Sequence, residues 1–167
     1  YVESEQEIGG LLESAGVDQV DYRTAIVNPL VRNEEILYQL NGMSMYSSTN
    51  TEEMWNFVKN MGFENLENRF QYAGSTEVMD MLLGIRYLFC RNTRTLHTAY
   101  KKIAESQSFD LYENPRALRS GYMVSDSVLD YAMEGTDPLE VQNRLLSGIV
   151  GKRLYKMQTV NSDTALI

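Results

Sequence analysis

Apolar positions along the chain follow two habits, spaced every three or four residues in some stretches and crowded side by side in others, and the switches between them predict its elements. Ile8, Leu11, Leu12 and Ala15 lie at helical spacing with Gly16 just beyond, which predicts a short amphipathic helix within residues 1–16. The pattern then changes to strand formers over 22–27, halted by Asn28-Pro29, so a strand runs into a turn. Ile36, Leu37 and Leu40 make a brief apolar stretch ahead of an unusually polar one. A helix is predicted over 51–61, capped by Thr49 or Thr51, with Glu52 and Glu53 at its positive end. Met54, Phe57 and Val58 form its inward stripe and Gly62 follows it. Residues 75–84 repeat this grammar, with a hydroxyl cap, an acidic first turn, apolar Val78, Met79, Leu82 and Leu83, and Gly84 at the exit. Residues 85–90 then read as a buried strand, and a helix feeding a strand through one glycine is an α/β packing unit.

Further along, 104–109 and 111–114 read as paired short strands ended by Pro115, 122–125 as the start of another strand, and 154–160 as a last one. A helix is predicted from Thr136, with Pro138 in its first turn and Leu139, Asn143, Leu145 and Leu146 near one side. Together these elements predict a single α/β domain of mixed α+β character, a mixed central sheet with three to four helices packed on it. Its 167 residues suffice for a real core, since a globule of this size buries roughly 70% of its unfolded surface.

Composition narrows the function classes. The net charge of −8, from 23 acidic and 15 scattered basic residues, is opposite to what a nucleic-acid backbone binder needs, and it disfavours docking on anionic lipid. Cys90, the single cysteine, lies in an apolar run and reads as a small buried hydrophobe, so neither an internal disulfide nor a thiolate zinc site is available. The chain starts at Tyr1, shows no signal peptide and no run of 18 apolar residues, and stops without a helix-ending signal; both ends read as cut from something longer.

Catalytic signatures are missing. His97, the sole histidine, has no second imidazole and no carboxylate at ligand spacing, and with one histidine and one cysteine a nucleophile triad or dyad is rejected. Glu52 with Glu53, Glu64 with Glu67, and Asp126 with Asp130 could be imagined as acid and base pairs, but in so acidic a chain solvated faces explain them better. Gly9-Gly10 and Gly42-x-Ser lack the context of a phosphate loop.

A resemblance rests on the order of short polar blocks. Tyr22-Arg23, Asn28-Pro29, Arg32-Asn33, Leu40-Asn41-Gly42, Tyr46-Ser47-Ser48, Tyr72-Ala-Gly-Ser-Thr76 with Asp80, Leu82-Leu-Gly-Ile-Arg-Tyr-Leu88, Leu111-Tyr-Glu-Asn114, Ala117-Leu118 and Gly121-Tyr-Met-Val124 follow in series. This series resembles the extracytoplasmic domain of bacterial YfhO-like membrane proteins, from about Tyr22 to about Lys156. The chain departs from the pattern at Arg119-Ser120, where relatives often carry a proline-containing turn. The resemblance implies a GT-C-type glycosyltransferase of a Gram-positive cell envelope, moving a sugar from a polyprenyl-phosphate carrier to a polymer such as lipoteichoic acid. It places this domain at the cell membrane on the extracytoplasmic side. The family's catalytic acid is expected in a membrane-proximal loop that no part of this chain matches, so no catalytic residue and no cofactor are expected here. The implied partners are the protein's own transmembrane region and a polyprenyl-phosphate sugar or envelope polymer.

The stretch from Asn41 to Asn50 carries two readings. Structurally, Asn41-Gly42 forms a turn with glycine at positive φ, Ser47 and Ser48 bond nearby backbone, and a threonine caps the next helix. Functionally, Arg32, Asn33, Asn41, Tyr46, Ser47 and Ser48 are the candidate ligand-binding residues, with an arginine to grip phosphate through two parallel bonds and a tyrosine face for a sugar ring. On this reading Arg32, Asn33, Tyr46 and Ser47 line one groove facing the membrane portion. The negative charge opposes a polyphosphate acceptor unless the acids face elsewhere. The competing classes are a scaffold, marked by an exposed apolar patch without a polar pocket, and a free-standing soluble enzyme, disfavoured by the missing catalytic set.

Overall fold

The structure, a computed structural model, describes residues 2–66, 68–92, 99–130, 135 and 137–151. His97, Glu67, Thr136 and the strand expected over 154–160 lie outside these residues. Among the described residues five α-helices follow one another: α1 (Val2–Ser14), α2 (Glu34–Leu37), α3 (Glu52–Asn60), α4 (Glu77–Leu82) and α5 (Pro138–Val150). Seven strands accompany them: β1 (Arg23–Val27), β2 (Met45–Tyr46), β3 (Asn65–Leu66), β4 (Arg69–Phe70), β5 (Ile85–Arg91), β6 (Lys101–Glu105) and β7 (Phe109–Glu113). They form a four-stranded mixed sheet in the order β1-β5-β7-β6 and a small three-stranded sheet in the order β2-β4-β3. The expected mixed α/β architecture is borne out.

In the main sheet β1 lies parallel to β5, and β7 pairs antiparallel with both β5 and β6. A parallel pair demands a long crossover, and this one holds α2, the small sheet, α3 and α4. Both faces of the sheet are covered, which is why β1 and β5 read as near-continuous apolar runs. On one face Ile8 and Leu11 of α1 pack on Ile26, Tyr87, Phe89, Phe109 and Leu111. On the other, Ala25, Ile85 and Leu88 meet Met43, Tyr72 and Tyr100. A third cluster, with Val58, Met61, Phe70, Met79, Val141 and Leu146, joins α3, α4 and α5 to the small sheet. Each fully buried side chain such as Phe89 contributes about 1.5–3 kcal/mol.

Local chemistry sets the ends of these elements. Thr51 caps α3 by accepting from the Met54 amide, and Thr76 caps α4 by accepting from the Met79 amide. Gly84, at φ 69°, turns the chain from α4 into β5. Glu7 of α1 binds the Ser106 hydroxyl at 2.6 Å and the Ser108 amide at 2.9 Å, tying the tip of the β6–β7 hairpin to the helix. That tip occupies the 106–108 turn, so β6 lies earlier than the expected 104–109 strand.

Several expectations are corrected. Residues 122–125 form no strand: Tyr122 donates its hydroxyl to the Leu82 carbonyl at 3.1 Å, Met123 is 98% exposed, and strand propensity without a pairing partner produces no strand. Met54 and Leu139 face outward, while Val141, Gln142, Asn143 and Leu146 are the buried positions of α5. Asn41-Gly42 is not a turn with glycine at positive φ; the left-handed residue there is Gln39, at 56°. Gly42 serves close approach instead, since a Cβ added to it would lie 2.6 Å from Glu35 Cβ. Gly42→Ala is therefore expected to lower stability by about 1–3 kcal/mol through overpacking, read as an earlier urea midpoint. An unchanged midpoint would contradict this packing.

Candidate functional site

After β1 the chain turns at Asn28, with φ 57°, passes Pro29, and enters the single turn of α2 from Asn33, also at φ 57°. That turn is inverted relative to its apolar residues. Ile36 and Leu37 are 57% and 48% exposed, whereas Glu34 and Glu35 are each 1% exposed. Buried carboxylates need partners. Glu34 accepts from the Leu30 amide at 2.7 Å and from the Tyr38 hydroxyl at 3.3 Å, and it forms a buried ion pair with Arg91 of β5. Glu35 accepts from the Ile26 amide at 3.0 Å, the Ser44 amide at 2.7 Å and the Ser44 hydroxyl at 3.0 Å. Burial pushes the Glu35 carboxyl above the usual carboxylate range, against the pull of these hydrogen bonds.

Ser44 passes the connection on, its hydroxyl accepting from the Tyr72 amide at 3.0 Å. Two residues later the Asn33 side chain holds Tyr46 from both sides, its Oδ1 accepting from the Tyr46 amide at 2.7 Å and its Nδ2 donating to the Tyr46 carbonyl at 3.1 Å. The Arg32 guanidinium lies 4.3 Å from the centre of the Tyr46 ring. Across the small sheet Tyr46 is paired with Arg69, whose Nη2 is 3.6 Å from Glu64 and whose Nε has no partner among the described residues. The result is an open groove of ≈ 400 Å³, with Arg32, Asn33 and Tyr46 on one side, Arg69 on another, and Glu34, Glu35 and Ser44 among its lining residues. No ion pair of Arg32 is found among the described residues.

A second cleft of ≈ 360 Å³ opens beside the C-terminal end of β1, lined by Asn28, Tyr72, Glu77, Asp80 and Tyr100 among others. Asp80 is buried and accepts from Tyr72 at 2.8 Å, Tyr100 at 2.7 Å and Ser75 at 2.6 Å. Its carboxyl is raised by burial, and both tyrosine hydroxyls are raised by burial and by the carboxylate beside them, so they remain donors. With its oxygens spent on three hydroxyls, Asp80 locks α4 to the 72–75 loop and to Tyr100. Among the described residues no group of three histidine, cysteine or acidic side chains could hold a metal ion.

Residues 10–165 match the family of the bacterial membrane protein YfhO. The chain belongs to that family. No curated protein and no solved structure matches it. YfhO is a membrane protein, and among the described residues of this YfhO-family chain no helix is long and apolar enough to cross a membrane.

Of the six residues singled out from the sequence, the fold brings Arg32, Asn33 and Tyr46 together in the groove. Ser47, Ser48 and Asn41 do not line it. Ser47 bonds the Asn68 carbonyl through its amide and Thr49 through its hydroxyl, and Ser48 is exposed. Asn41 straps the start of β1, donating its side-chain amide to the Tyr22 carbonyl at 3.1 Å and accepting at its own carbonyl from the Thr24 amide at 2.9 Å. Arg69, Ser44 and the two buried glutamates of the YfhO-family groove escape sequence reasoning, because a two-residue strand carries no periodicity and acidic pairs read as solvated.

The carboxyl shifts predict how stability depends on pH. Glu35 and Asp80 are raised in the fold, so the native state binds more protons than the unfolded one from their ordinary values of 4.5 and 3.8 upward, and stability falls as pH rises through that window. Glu7 and Asp18 are lowered by hydrogen bonds from Ser106 and from the Asp21 amide, so their contribution is lost as pH falls below 4.5 and 3.8. Urea midpoints are expected to peak between these limbs, and Asp80→Asn should flatten the decline on the alkaline side. A stability that climbs steadily from pH 5 to 7 would contradict the assignment.

Proposed function

We propose that this chain is the extracytoplasmic domain of a YfhO-family membrane glycosyltransferase, and that its groove holds the phosphate of a polyprenyl-phosphate sugar or of an envelope polymer such as lipoteichoic acid. The chemistry of transfer belongs to the membrane part, and this domain binds and orients. The observation that carries the reading is the convergence of Arg32, stacked on Tyr46, with Arg69 in one groove of a chain whose net charge is −8. The Arg32 guanidinium offers paired donors to phosphate oxygens and Arg69, which shares its charge with Glu64, adds a second cation, while the glutamates lining the groove are committed elsewhere, Glu34 to Arg91 and Glu35 to Ile26 and Ser44. The acidic surplus slows the approach of an anion at low salt and disfavours its contact with the rest of the surface, so the two arginines alone favour it at this groove.

A second reading, a scaffold that packs on its own transmembrane region, is favoured by the exposed run Tyr122, Met123 and Val124. Beside it lies an apolar cleft lined by Phe57, Leu82, Leu145 and Ile149. The two readings separate in one titration. Short-chain polyprenyl-phosphate sugar and glycerol-phosphate oligomers should shift the amides of Arg32, Tyr46 and Arg69. Arg32→Ala should weaken binding about tenfold or more, the equivalent of one charge-assisted hydrogen bond. Absence of any shift with millimolar ligand would sink the phosphate reading and leave the scaffold.

A further inference from the structure

The beginning of α3 borders a cleft of ≈ 490 Å³ lined by Asn50, Thr51, Glu52, Trp55 and Asn68. We propose that it is a binding site for a neutral saccharide unit, separate from the cationic groove. Trp55, the chain's only tryptophan, is half-buried, packed against the cluster that holds Val58, Met61 and Phe63, with its amide bonded to the Thr51 carbonyl at 3.1 Å. Packing against that cluster restrains the indole, and the side chain lines the cleft, where an aromatic ring can take the apolar C–H face of a pyranose.

The polar groups around it match a polyol. The Asn68 amide offers an acceptor and two donors, and the Glu52 carboxylate accepts only, so hydroxyls that both donate and accept find complements here, and Asn50 adds its amide. The Asn50 amide nitrogen is buried and has no hydrogen-bond partner among the described residues, a cost that a ligand oxygen would relieve after rotation of the amide. Among the described residues no lysine or arginine lines this cleft, and Glu52 and the neighbouring Glu53 repel anions, so a free phosphate is disfavoured. Asn68 and Arg69 are consecutive, the first in this cleft and the second in the cationic groove, so the saccharide site borders the other without sharing its chemistry. The inference does not rest on the phosphate reading.

The lone tryptophan supplies the test. The 167-residue chain is titrated with glucose, galactose and N-acetylglucosamine while Trp55 emission is recorded, with inorganic phosphate as the control. At least one sugar should give a saturable change with a millimolar midpoint, and phosphate should give none. Asn50→Ala removes an amide without a partner in the described fold, so it should keep the far-UV spectrum and the urea midpoint while weakening the sugar more than tenfold; Glu52→Gln should weaken it less. No saturable change from any of the three sugars up to about 100 mM, too weak to be a built site, would overturn the proposal. So would an equal response to phosphate, or an unaltered isotherm in Asn50→Ala.

Discussion

One buried carboxylate organises the functional side of this domain. Glu35 gathers the Ile26 amide of β1 with the amide and hydroxyl of Ser44, which leads into β2, and so joins the main sheet to the small one. Withdrawing a carboxylate from water is costly, and it persists because several donors converge on it. Its neighbour Glu34 repeats the device toward β5 through Arg91. The crossover between the parallel strands is thus held by charge and hydrogen bonds where a hydrophobic staple would be expected. Gly42 carries no side chain because Glu35 occupies that space.

This arrangement explains how an acidic chain can bring two arginines to one groove. With the glutamates of α2 turned inward and partnered, Arg32 is left exposed on the same loop beside the half-buried Asn33. Asn33 fixes the Tyr46 backbone in β2, and Arg32 is laid over the Tyr46 ring. The Asp80 cluster is a second polar lock of similar construction, spending one carboxylate on three hydroxyls to set α4 against the 72–75 loop and Tyr100. In both places polar groups in the interior fix geometry, and the hydrophobic clusters on either side supply the bulk of the stability.

Periodicity and caps made the scaffold legible in the sequence. The helix within residues 1–16, the strands at 22–27 and 85–90, and the helices after Thr51 and Thr76 were readable because each has a stripe or run with a chemical start or stop. The inverted turn of α2 was not, since Glu34-Glu35 followed by Ile36-Leu37 looks like a solvated pair before an apolar stretch, and only long-range partners on β5, at Ile26 and at Ser44 reverse it. Residues 122–125 misled in the opposite sense, having strand formers but no partner. Half of the candidate site was visible, because Arg32, Asn33 and Tyr46 stand out as polar and aromatic residues beside turns. Arg69 was hidden in a two-residue strand whose place depends on pairing with β2 and β3.

Glu35, whose carboxylate is spent on the Ile26 and Ser44 donors, builds the groove in which Arg32, Tyr46 and Arg69 converge. The direct test is the affinity of Glu35→Gln for glycerol-phosphate oligomers, measured by amide shifts at a temperature where the variant remains folded. An amide nitrogen would face amides that now donate to carboxylate, so β2 should lose its anchor. The Arg32–Tyr46 pair should come apart, and affinity should fall several-fold with Arg32, Tyr46 and Arg69 themselves unchanged. An affinity equal to that of the unsubstituted chain would show that the groove stands without Glu35 and contradict the account.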